Sequence, residues 1–177
     1  MGFASGPVPP RAAWPVTSDP GPRPAVRADA FAAVALVLAG VCGLLTWFLE
    51  GYLVGGENSA GVGLTGAKVF ATLRAPDAGG VYDLTALAVL AVTIGGGALV
   101  LLGIGSLLPM NHRPIGAAAL ALTLVLVGSA GWLLLKTSTV LGSSPSQMIG
   151  GGHYGWHLIA LAAVLGVVGS IRALVNG

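Results

Sequence analysis

Two apolar runs, Leu84 to Leu108 and Ile115 to Leu135, are separated by only six residues, Pro109-Met110-Asn111-His112-Arg113-Pro114. A helix needs roughly 20 apolar residues to cross the core of a bilayer, and each run is about that long. So short a connection between two such runs forces the chain to turn straight back. The stretch therefore reads as a transmembrane helical hairpin. Arg113 in its hinge places the hinge on the cytoplasmic side, because short loops carrying Lys and Arg tend to stay there.

The rest of the chain supports a membrane environment. Only 8% of its residues are charged and 55% are hydrophobic, against about 25% charged in an ordinary soluble domain. Such a chain cannot cover itself with polar surface. Its formal net charge is only +2, spread over few groups, which excludes a basic face for nucleic acid. The one cysteine, Cys42, lies inside an apolar run. An intrachain disulfide and a cysteine zinc cluster are both excluded.

Residues 1–29 hold Pro7, Pro9, Pro10, Pro15, Pro20, Pro22 and Pro24 among Gly, Ser and Arg. They read as a disordered cytoplasmic tail, solvated rather than docked on a partner, and not as a signal peptide. A first span follows at about 30–49, closed by Glu50, and a fourth at about 154–174, with Arg172 near enough to its end to snorkel. With 84–108 and 115–135 between them, the expected architecture of 30–177 is an all-α, antiparallel four-helix transmembrane bundle. Four crossings put both termini on one side. Arg11, Arg23, Arg27, Arg113 and Arg172 then share the cytoplasm, leaving Lys68, Arg74 and Lys136 outside. Trp47, Phe48, Tyr52, Tyr82, Trp132, Tyr154 and Trp156 gather at the span ends opposite the hinge, as an interfacial aromatic belt.

The connection 51–82 is the sizeable piece outside the bilayer. Within it, Thr65 to Leu73 reads as a short interfacial helix started by Thr65 and stopped before Pro76, with a strand as the alternative. Asp83 directly precedes the second span, where it reads as a cap and dipole partner rather than a proton carrier. Ser143 to Ser146 mark a turn before the last span.

Reactive chemistry is sparse in the sequence. No charged residue stands mid-span, which argues against a proton relay or charged ion path. Neither a G-x-S-x-G elbow, an H-E-x-x-H motif nor a P-loop occurs. His153 and His157 are four apart and can share a helix face, so metal or haem binding enters as a minority reading beside interfacial hydrogen bonding. His112 reads as a solvated hinge residue. Gly95-Gly96-Gly97 falls inside an apolar run, so it loosens a span or admits a neighbour and cradles no phosphate. Small residues recur every fourth position at Ala35, Ala39 and Gly43, and again at Ala162, Gly166 and Ser170. Such stripes let helices approach closely and hold the chain's own bundle together, with one of them facing another subunit as the alternative.

Asp83-Leu84-Thr85, the Arg113-Pro114 hinge and Gly155-Trp156-His157-Leu158 resemble the small four-span integral membrane proteins of high-GC actinobacteria. That resemblance implies an architecture and carries no catalytic motif. The expectation is a non-catalytic accessory or scaffolding subunit of a cytoplasmic-membrane assembly, respiratory or envelope-building, in contact with lipids and other integral subunits. The alternatives are a carrier of a small apolar ligand such as lipid or quinone near Gly95 to Gly97, and a metal or haem protein using His153 and His157.

Overall fold

The computed structural model describes residues 29–54, 62–74, 80–109, 111–142, 144–150 and 154–176. The expected Pro-rich tail and His153 lie outside them. Four long helices form the body: α1 (Ala30–Phe48), α3 (Gly80–Gly105), α4 (Arg113–Lys136) and α6 (Tyr154–Asn176). Each is long and apolar enough to cross a membrane. The chain is a small multi-span α-helical membrane protein.

Local chemistry sets the helix ends. Asp29 caps α1, its carboxylate accepting from Ala32 N–H at 3.0 Å. It thus belongs to the bundle, although the sequence around it suggests a tail. The end of α3 tightens through Leu107 N–H to Ile104 O and Leu108 N–H to Gly105 O, both 3.1 Å. Across the hinge, Asn111 Oδ1 accepts from Arg113 N–H at 3.0 Å. Pro114 sits in the first turn of α4, where its missing N–H costs nothing. At the far end α4 passes through a π-helical turn, Thr137–Leu141. Gly142 then breaks away with φ 68°, a left-handed conformation suited to glycine. A short helix α5 (Pro145–Gly150) follows.

Helix α3 begins at Gly80, earlier than the apolar run suggests. Asp83 therefore lies inside its first turn, exposed, and complements the helix dipole instead of capping.

Around the bundle the order is α1, α3, α4, α6, with α1 and α4 on opposite corners. Neighbours run antiparallel: Gly43 meets Val92 and Gly103 meets Ala33, while Gly116 meets Leu174 and Gly166 meets Thr123. The fully buried Thr and Ser hydroxyls in the spans are satisfied within their own helices. Thr46 donates to Gly43 O (2.6 Å), Thr123 to Ala119 O (2.8 Å) and Ser170 to Gly166 O (2.6 Å). Lipid offers no partner, so this local bonding is what makes them tolerable at depth.

The connection after α1 makes both strand and helix. Strands β1 (Glu50–Val54) and β2 (Val62–Thr65) pair antiparallel, Tyr52 opposite Leu64 and Val54 opposite Val62, with an irregularity between Glu50 and Tyr52. Thr65 then caps α2 (Gly66–Leu73), its hydroxyl accepting from Lys68 N–H at 3.3 Å. This hairpin and helix cover the end of the bundle opposite the hinge, β1 against α6 and α2 against α3. The helix falls where Thr65 predicts it. The hairpin depends on a pairing across residues 55–61 that no local pattern announces.

Candidate functional site

The two seams of α3 differ in how tightly they close. Toward α1, a Cβ at Gly96 would lie 2.8 Å from Gly40 O and 2.9 Å from Leu44 N, and one at Gly103 would lie 2.9 Å from Val37 N. Backbone rests on backbone there. Toward α4 the seam opens into an apolar groove of about 380 Å3, lined by Leu84, Leu87, Ala88 and Ala91 from α3 and Val125, Gly128, Ser129 and Trp132 from α4. A Cβ at Gly128 would meet nothing within 4 Å.

One end of this groove is built from polar groups. Thr85 Oγ1 donates to Val81 O at 2.8 Å and accepts from Trp132 Nε1 at 3.3 Å. The tie holds the indole across the seam at the capped end of the bundle. Lys136, one turn further along α4, places its ammonium 5.4 Å from the Trp132 ring centroid.

The cap beside it is closed. Tyr52 is 1% exposed and meets Trp156 edge to face, with ring centroids 6.5 Å apart. Burial pushes its phenol up to about 12. The Thr46 hydroxyl lies close enough to act in the opposite sense, without reaching hydrogen-bond geometry. Trp47 and Phe70 meet with their rings tilted and centroids 5.7 Å apart, and Arg74 lies over Phe70. The aromatic side chains do gather at one end of the bundle, but Tyr52 and Trp156 serve as its plug instead of facing lipid.

At the hinge end, Asp29 joins the start of α1 to the end of α6. Burial pushes its carboxyl up, but hydrogen bonds from Ala32 N–H and Asn176 and the nearby Arg172 guanidinium outweigh this and leave it below the usual carboxylate value. Arg172 stands 3.7 Å from Asp29 and stacks over Phe31 at 5.2 Å. A second groove of about 380 Å3 opens beside them, lined by Phe31, Val168, Ile171, Arg172, Val175 and Asn176.

The residues singled out in the sequence separate into three groups. Ala35, Ala39, Gly43, Ala162, Gly166 and Ser170 are all buried inside the bundle. His157 is exposed at the start of α6, and among the described residues no three His, Cys, Asp or Glu side chains gather as a metal site. His112 departs from expectation: it is fully buried, and its carbonyl receives Gly116 N–H at 2.8 Å as α4 begins. The His112 side chain turns into the bundle end, while Pro109, Asn111, Arg113 and Pro114 beside it stay exposed.

The chain matches no known protein family, no curated protein and no solved structure. Its site must be read from its own geometry.

Sequence reasoning passed over Asp29, Trp132 with Thr85, and the Gly40–Gly96 contact. Asp29 carried a signal, an acid directly before an apolar helix. Thr85 and Trp132 are 47 residues apart and no local pattern links them.

Proposed function

We propose that the protein is an accessory or scaffolding subunit of a larger assembly in the cytoplasmic membrane, without catalysis of its own, and with its hinge and termini on the cytoplasmic side. The observation that carries this reading is the unequal covering of the spans. Half of the most apolar stretch of α1 is buried within the chain but only 22% of that of α4. The outward surface of α4 presents Ala117, Ala121, Leu124 and Gly128, all exposed. Small side chains on an uncovered membrane helix let a second helix come close, which is what drives association where lipid is as apolar as the protein.

Gentle detergent extraction followed by native mass measurement tests this. A species well above the 17.5 kDa chain is expected. Ala121→Trp, at the centre of the outward face, should release the chain from it while leaving the melting temperature unchanged. A wild-type chain that runs alone with only lipid attached would overturn the reading. For orientation, Arg113→Cys should react with a membrane-impermeant thiol reagent only from the cytoplasmic side, the native Cys42 being buried.

A further inference from the structure

The α3–α4 groove is shaped along its length and charged at one end. From Leu84 to Ala91 it follows α3 for about 10 Å at 1.5 Å per residue. One leaflet's share of a ~30 Å hydrocarbon core is about 15 Å, so a groove of this length fits within a single leaflet. Its volume, about 380 Å3, falls in the lower part of the roughly 300–1,000 Å3 typical of ligand pockets. Its lining is almost wholly apolar. At the capped end Trp132, tied to Thr85, forms its wall, and the Lys136 ammonium stands just beyond. Among the described residues Lys136 has no ion-pair partner.

An apolar channel short enough for one leaflet, under a cation with no ion-pair partner among the described residues, complements a phospholipid, which carries its phosphate just above its acyl chains. We infer that the groove is a phospholipid site, with the acyl chain lying between α3 and α4 and the lipid phosphate accepting hydrogen bonds from Lys136 Nζ. Trp132 has committed its N–H to Thr85, so it offers the lipid only its ring. The groove at the hinge end sharpens the assignment. It has the same volume and a cation over an aromatic ring, but Arg172 faces Asp29 and its charge is already answered. The site borders the proposed subunit contact: Gly128 belongs to both, whereas Ser129 and Trp132 line the groove and Ala117, Ala121 and Leu124 lie outside it.

The full chain in mild detergent is offered either phosphatidylglycerol or a glucosyl diacylglycerol with the same acyl chains and no phosphate, and retained lipid is counted by native mass spectrometry. One phosphatidylglycerol per chain is expected, held about fivefold better than the phosphate-free lipid, the gain one lysine gives near an anionic surface. Lys136→Gln should erase that preference. Ser129→Leu, which fills the groove, should lower retention of both lipids. Equal retention of the two lipids by the wild type would overturn the site, as would a Lys136→Gln chain that keeps the preference. Should Ser129→Leu not fold, Ala91→Leu fills the same space from the opposite wall. A groove occupied by a second protein chain, seen as a protein mass increment lost in Ser129→Leu, also overturns it. Release of that larger species by Ala121→Trp with lipid binding intact would leave the two proposals standing independently.

Discussion

Helix α3 meets α1 and α4 in opposite ways. Against α1 it places Gly96 and Gly103 directly on the other backbone; against α4 it leaves a groove bridged at one end by an indole and a hydroxyl. In water both seams would be pressed shut by the hydrophobic effect. In lipid that force is missing, so a seam closes only where small residues permit atomic contact. The α1 seam closes on backbone contact, and the α4 seam stays open.

The contrast is broken most directly by adding the same side chain to each seam. Gly96→Leu drives a branched group into the backbone of α1 and should destabilise the bundle by about 3 kcal/mol or more, overpacking at its severe end. Gly128→Leu adds the same atoms where nothing lies within 4 Å and should leave the melting temperature in detergent unchanged or raised, since leucine also favours the helix. Similar losses at both positions would dissolve the distinction between the seams.

At the hinge end, Asp29→Ala removes the α1 cap and its links to α6, with an expected loss of about 1 kcal/mol, typical of a helix cap. Most of that belongs to the cap, because Arg172 is 53% exposed and its ion pair is weakened by solvent. The pH dependence has a definite sign. The folded-state value lies below the ordinary 3.8, so the stabilisation is present above that pH and lost as the pH falls below it. Denaturation profiles of wild type and Asp29→Ala should converge in acid. A gap that persists there would mean the carboxylate charge contributes little.

A smaller effect is expected at the α4 seam. Trp132→Phe keeps the ring but removes the bond to Thr85, and should cost about 0.5–1 kcal/mol. The smallest concerns Lys136→Gln, which should change stability by less than about 0.5 kcal/mol while altering lipid preference. A large stability loss on that change would make the lysine a structural element of α4 instead of a lipid contact.

By itself the sequence determined how many long apolar spans there are, their approximate extents and the medium they occupy, because a run of about 20 apolar residues has few other fates. It also placed the start of α2 at Thr65, a signal contained within four residues. Only the tertiary structure decided which helices touch. The spans are apolar on every side, the small-residue stripes of the first and fourth do not say which helix each meets, and glycines at 95, 96 and 97 look alike until the α1 backbone is laid against Gly96. The same holds for His112, drawn into the bundle end, and for the groove, which exists only in the distance left between two helices. Span number follows from composition along the chain; contact and vacancy follow from fit between distant residues, which one-dimensional order does not carry.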